Sequence, residues 1–362
     1  MIRKSIIAAA LSLTCLLPAT AYAKSTHDLK PQFDVAYQNY KKAIASDSAE
    51  QQIKFAKEAY ELGGKIYNKT GTDYANLAIN LGAVYNSKEQ FAQANEVLLP
   101  ILAIYENEYP ADAKEWVALY FELADSMPWE ERKKKVSYFR KAVKVAKNYK
   151  KESPVYYAQI QLEVGIKLLH VRPKDSKMIL SALEVFQEHL QPNDTRVIRA
   201  NFHAGKYYQT RNRKSKAISY FESNLPIFET LEGPTHPYEL MTRAFLIQML
   251  ESKGETDKAT EHCIAIGAMK PWSDAQEQTP LFRTKPRLSK KIVTRGASYT
   301  IIKFTITESG MVKNPIVTES GGNSRFDKAS IAAVKRWRYA PKFENGKPVA
   351  ATSRVKISFE TS

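Results

Sequence analysis

At 362 residues, with 44% hydrophobic and 25% charged side chains, the chain is long enough for two or more domains and too apolar to be disordered throughout. Its formal net charge of +16 is concentrated at one end: residues 281–362 carry 17 Lys and Arg against 5 Asp and Glu, a net of +12, and residues 24–280 only +2. That asymmetry points to an anionic partner for the C-terminal part, and the presence of only two cysteines, Cys15 and Cys263, excludes a disulfide-built fold.

Residues 1–23 have the order of a secretory signal. Arg3 and Lys4 are basic, residues 6–17 are uncharged and apolar, Pro18 breaks the run, and Ala21-Tyr22-Ala23 supplies small residues for cleavage. This predicts export and removal of the segment. The competing reading is a retained membrane anchor, but the apolar run of residues 6–23 is short for a span and Pro18 interrupts it. With the signal removed, Cys263 is alone and no internal disulfide is possible.

Residues 24–272 read as an all-helical array with internal repeats. Gly82, Tyr85, Ala94 and Leu98 recur as Gly205, Tyr208, Ala217 and Phe221, and again as Ile247, Leu250, Ala259 and Cys263. In all three the intervals are three, nine and four residues. The pattern resembles the tetratricopeptide (TPR) repeat. Its physical logic is close approach: Gly82 or Gly205 on the first helix of a hairpin is expected to face Ala94 or Ala217 on the second. Weaker copies fall at 116–143 and around Gly165 and Leu168. The anchors 82, 120, 165, 205 and 247 are 38 to 45 apart, more than the 34 residues of a standard TPR, so longer helices or loops are expected. A degenerate first hairpin is expected around Tyr37 and residues 55–60.

The remaining singular residues in this region have packing explanations. Cys263 occupies a core position, the tyrosines recur at repeat positions, and Lys133 to Lys135 form a solvated face. The six histidines lack metal-ligand spacing, no aromatic-interleaved basic groove predicts nucleic acid, and no nucleophile elbow, phosphate loop or zinc motif is present. No enzyme, metal or cofactor is therefore predicted. A stack of hairpins presents a concave surface suited to protein recognition.

After Pro271-Trp272 the helical period stops, and residues 273–290, with Pro280 and Pro286, read as a linker. From residue 291 the period becomes two. Residues 298–307 and 311–320 read as a hairpin turned at Glu308-Ser309-Gly310, with Pro315 at an edge or bulge. After Gly321-Gly322-Asn323 comes a short helix capped by Ser324 or Asp327, whose apolar face is Phe326, Ile331, Val334 and Trp337. Tyr339 and Pro341 are expected to end that helix. Asn345-Gly346 turns the chain into a last strand over 349–360. Trp337 is expected in the core, and Lys335, Arg336 and Arg338 favour the negative helix end.

The order strand, strand, helix, strand, with "FTITESGMVKNPIVTESGG", "FDKASIAAVKRWRYAP" and "VKISF", resembles the C-terminal domain of the TonB family of energy transducers over residues 281–360. Trp337, Arg338, Tyr339 and Pro341 are its most specific element. The expected fold is thus a two-domain α + β protein: an all-α TPR-like solenoid, then a small β-β-α-β domain over 291–362. The resemblance implies a periplasmic protein, or an inner-membrane-anchored one facing the periplasm. It implies that the last strand, Arg354, Val355, Lys356, Ile357, Ser358 and Phe359, receives the N-terminal box of an outer-membrane TonB-dependent receptor as an added strand. It also implies that the basic surface meets the receptor, which gives Arg338 and Lys290 contact roles. The TPR array would recruit TonB or motor components of the inner membrane. The alternative is an envelope scaffold that binds peptidoglycan or protein with no role in transport. The chain departs from the family at Lys285-Pro286, where a Tyr-Pro is usual, and at Lys290, where a glutamine can stand. The family's long Pro-rich spacer and N-terminal motor-binding anchor are not expected here, and the TPR-like array takes the spacer's place.

Overall fold

A computed structural model describes residues 29–46, 48–231, 235–269, 278–288, 298–344 and 346–359. The expected signal lies outside them, as do residues 273–277, 289 and 290 of the expected linker. Among the described residues no helix is long and apolar enough to cross a membrane. The chain divides into two compact units, Met1–Val185 and Phe186–Ser362.

The first unit is helical. Helices α1 (Lys30–Ser46) and α2 (Ala49–Ile66) form the first hairpin, and α3 (Thr72–Ser87) with α4 (Phe91–Leu98) the second. A short α5 (Leu102–Glu108) leads to α6 (Glu115–Asp125), which pairs with α7 (Arg132–Lys147). Helix α8 (Pro154–Lys167) follows, and α9 (Met178–His189) begins in this unit and runs into the second. In the second unit α10 (Thr195–Thr210) pairs with α11 (Lys214–Glu222), α12 (Leu225–Glu229) is short, and α13 (Pro237–Lys253) pairs with α14 (Thr256–Gly267). Local chemistry sets the ends. The Asp194 carboxylate accepts the Arg196 N–H at 2.8 Å to open α10, and Gly254, at φ +82°, closes α13.

The repeat spacing does produce close-packed hairpins, but the facing pairs differ from the expected ones. A Cβ on Gly82 would lie 2.7 Å from the Leu98 side chain, and one on Gly205 would lie 2.5 Å from the Phe221 ring. Gly165 faces Ile179 in the same way. Gly82 and Gly205 are therefore sockets for a large residue one turn beyond the alanine expected to face them. Ala94, Ala217 and Ala259 are themselves fully buried, Tyr85 is buried, and Tyr208 stacks on Tyr220.

The second unit ends in the β-containing domain. Its main sheet holds β2 (Ser298–Ile306), β3 (Val312–Gly321) and β7 (Ala351–Phe359) in the order β3-β2-β7, all antiparallel. Helix α15 (Ser324–Val334) packs over β2 and β3. Ile302, Phe304, Ile306, Val312, Val334, Trp337 and Tyr339 form the core, which accounts for the alternation along β2. Pro315 lies on edge strand β3 beside a bulge at Asn314, whose φ is +50°.

Three local expectations are corrected. The helix cap is Asn323, whose side chain accepts the Arg325 N–H at 3.0 Å. Asp327 instead accepts from the Thr300 and Ser320 hydroxyls and ties the helix to the sheet. Helix α15 ends at Val334, before the aromatic cluster; Arg338–Tyr339 forms a short strand, β4, paired with β1 (Pro280–Phe282). Consequently residues 278–288 are not a free linker. Leu281 is buried, and the Trp337 indole N–H donates to the Thr284 carbonyl at 2.9 Å. Strands β5 (Lys342–Glu344) and β6 (Lys347–Val349) make a small separate hairpin.

Candidate functional site

The terminal domain presents two contrasting surfaces, and the sheet topology decides both. Because β7 is outermost in the order β3-β2-β7, among the described residues one of its edges pairs with β2 and the other with nothing.

The tight turn between β2 and β3 reveals which main-chain groups reach that open edge. Gly310, at φ +74°, donates to the Thr307 carbonyl at 2.9 Å, and Thr307 N–H donates to the Met311 carbonyl at 2.9 Å. Thr307 therefore turns its main-chain groups toward β3. The N–H and C=O of one strand residue point to the same side, and successive residues alternate. The Ile301 carbonyl, which accepts from the Thr318 hydroxyl at 3.3 Å, obeys the same parity. Odd-numbered residues of β2 thus bond β3 and even-numbered ones bond β7. Their partners across the ladder are Ala351, Ser353, Val355, Ile357 and Phe359. The N–H and C=O of Thr352, Arg354, Lys356 and Ser358 are left at the open edge.

Side chains on β7 alternate with the same period. Val355, Ile357 and Phe359 point to the core face and are half-buried, with Phe359 4.3 Å from Phe326 between ring centres. The half-burial has a geometric cause: α15 covers β2 and β3, so the inner row of β7 is short of a neighbour. Arg354, Lys356 and Ser358 point outward and are exposed. Lys356 lies 4.4 Å from the centre of the Tyr299 ring, and the Tyr299 hydroxyl donates to Glu319 at 2.6 Å. Arg354 approaches Glu319 only to 3.7 Å, with both side chains more than half exposed, a weak pair in high dielectric.

Arg338, expected on a contact surface, is elsewhere. Its side chain is 6% exposed and donates from Nε to Glu251 of α13 at 2.6 Å. Glu251 neutralises it, so it holds the terminal domain to the last helical hairpin. The neighbouring contacts are equally close. A Cβ on Gly267 of α14 would lie 2.7 Å from the Pro341 carbonyl, and one on Gly310 would lie 3.1 Å from the Cys263 Cβ. Cys263, Ile266, Leu281 and Ala340 share one buried cluster. Burial raises the Cys263 thiol to about 12, which leaves it an inert packing group at neutral pH. Lys290 lies outside the described residues.

The helical units add polar clusters that the repeat spacing does not reveal. In the first unit Asn86 of α3 donates to the Glu122 carboxylate of α6 at 2.8 Å, and Lys167 of α8 pairs with Asp125. Burial lifts Glu122 to about 7. Lys135 is not fully solvated as expected, since it donates to the Ala124 carbonyl at 2.8 Å. Among the described residues, no group of His, Cys, Asp and Glu could hold a metal ion.

Residues 294–361 match the family described as the Gram-negative bacterial TonB protein C-terminal. No curated protein matches the chain. Solved structures resemble it over most of their own length. BtubC (BKLC) from P. vanneervenii is 16% identical, with a TM-score of 0.45, over 74% of this chain and 98% of that one. A putative kinesin light chain of Podosopora anserina with TPR-like repeats is 14% identical, with a TM-score of 0.32, over 66% and 93%. Acl4, the assembly chaperone of RpL4, is 14% identical, with a TM-score of 0.34, over 66% and 92%. Over residues 294–361 the chain therefore matches the TonB C-terminal family, and the helical hairpins before that region carry the repeated glycine sockets at Gly82 and Gly205.

Proposed function

We propose that this is a periplasmic accessory of TonB-dependent transport across the outer membrane. The terminal domain takes an extended segment of a receptor as a fourth strand on β7, while the helical repeats recruit a second component. The observation that carries the reading is the open β7 edge, where main-chain groups of four successive outward residues stand free of the β2 ladder beside a half-covered apolar row. Strand addition supplies main-chain bonds with little sequence demand, and it covers Val355 and Ile357. The net charge of +12 over residues 281–362 speeds encounter with an acidic segment. The close union of the terminal domain with α13 and α14 supports a rigid adaptor, since the domain is gripped by the repeats rather than trailing from a spacer.

In-cell photo-crosslinking tests it. A crosslinking residue at Ser358 of the full chain is expected to capture the N-terminal segment of an outer-membrane receptor, and one at Lys328 on α15 is not. Equal capture at both positions, or adducts at Ser358 that sediment with the peptidoglycan sacculus, would replace the transport reading with the envelope scaffold.

A further inference from the structure

The open edge sets a rule for what it accepts, and this inference rests on strand addition at β7. The residues whose main-chain groups reach the edge, Arg354 and Lys356, are the same residues whose side chains face outward. A strand added there, parallel or antiparallel, has its own period of two. Every second side chain of the guest lies on the outer face, flanking the Arg354 guanidinium and the Lys356 ammonium. Those between lie on the inner face, against Val355 and Ile357. The outer face is cationic beyond the edge as well: Lys303, opposite Arg354 in the ladder, is exposed. Among the described residues the carboxylate paired with Arg354 is Glu319, which is shared between Tyr299 and this long contact.

We infer that β7 selects an extended segment in which acidic side chains alternate with apolar ones, at least acid–apolar–acid over three residues. The same charges disfavour a second copy of this chain as the guest. An antiparallel pair of β7 strands centred on Val355 would set Arg354 of one copy against Lys356 of the other, and like charges directly opposite repel.

The test compares two peptides of equal composition with the full-length protein: an alternating Glu-Val-Glu-Val-Glu and a blocked Glu-Glu-Glu-Val-Val. Only the first places its carboxylates on one face. It is expected to bind about tenfold more tightly at low salt, since the blocked peptide can match both cations only by setting its second carboxylate unpaired on the inner face against Val355 and Ile357, and in the other register it matches one cation alone. In the double variant R354E/K356E the preference should pass to Lys-Val-Lys-Val-Lys. Both side chains are exposed, and R354Q/K356Q, which loses the preference without reversing it, serves if the reversed variant folds poorly. Hydrogen exchange separates the two levels of the argument. Equal affinity for both peptides, with amides 354 and 356 protected, overturns the selection rule and leaves strand addition standing. Binding without protection at those amides, or no binding by either peptide, removes strand addition and the rule together. A dimer in the absence of peptide with amides 354 and 356 protected would also overturn the rule.

Discussion

Arg338 and Arg354 stand sixteen residues apart in one small domain, and their surroundings are opposite. Arg338 is almost wholly buried, with a carboxylate 2.6 Å away on α13; Arg354 is exposed, and its nearest carboxylate is 3.7 Å away and already engaged by Tyr299. Composition treats both as parts of one basic patch. The fold uses the first to fasten the domain and leaves the second exposed on the outer face of the sheet. Charge in the sequence therefore overstates the contact surface, and burial decides which cations count toward it.

The contrast breaks most sharply at the fastened end. Glu251→Gln leaves Arg338 buried without a counter-charge, so a loss of about 3–5 kcal/mol in chemical denaturation is expected. Replacing both partners by apolar residues, R338M/E251L, should recover most of that loss, because packed side chains of similar volume substitute for a buried pair. If Glu251→Gln costs no more than an exposed pair does, about 0–1 kcal/mol, the junction is held by its apolar contacts alone.

The next effect separates the two helical units by pH. Burial, with Arg199 and Lys206 nearby, holds His203 of α10 down to about 3. Its unfolded value is about 6.5, so the unfolded chain binds the proton more readily. The second unit should keep its stability above pH 6.5 and lose about 2–3 kcal/mol between pH 6.5 and 4.5. Glu122 in the first unit has the reverse sign. Burial raises it to about 7, so its contribution is full below the unfolded value near 4.5 and fades as pH rises through 7. Hydrogen exchange at several pH values reads the units apart. His203→Gln should flatten the acid limb in α10, and Glu122→Gln the neutral limb in α6. A common pH profile for both units in the wild-type chain would show that neither group governs.

Much of this architecture is legible in the sequence because its signals are periodic. Intervals of three, nine and four residues locate the hairpins, and alternation along residues 298–306 locates the central strand. What escapes has no period. Glu251 lies 87 residues before Arg338, and no local pattern joins them. Asn323, Ser324 and Asp327 are all good caps, and only the backbone geometry selects Asn323. Strands β1 and β4 have three and two residues, too few for alternation to show, so Pro280 and Pro286 are the local signals and they read as a linker. At the site itself, alternating exposure along β7 could be anticipated from "RVKISF". Which of its N–H groups are open could not, because that parity is set by the Thr307–Gly310 turn in another part of the domain.

That parity gives the smallest expected effect on stability and the clearest on function. Proline removes one main-chain donor, and its consequence depends on where the donor points. The Ile357 N–H turns to β2, so Ile357→Pro takes a bond out of the ladder opposite Thr300 and disturbs a half-buried core position. It should unfold the sheet, and any loss of peptide binding it caused would carry no information. The Lys356 N–H turns outward, so Lys356→Pro leaves the β2 ladder intact on an edge strand, where proline is tolerated. Its stability should fall by about 1 kcal/mol or less, while an extended guest loses a central bond and binds at least tenfold more weakly. Lys356→Ala removes the charge alone and should weaken an acidic guest only about two- to fivefold. Thermal denaturation and peptide titration of the three variants decide the matter. Should Lys356→Pro unfold the domain while Ile357→Pro leaves it intact, the parity is reversed, and the groups at the open edge are those of Val355 and Ile357.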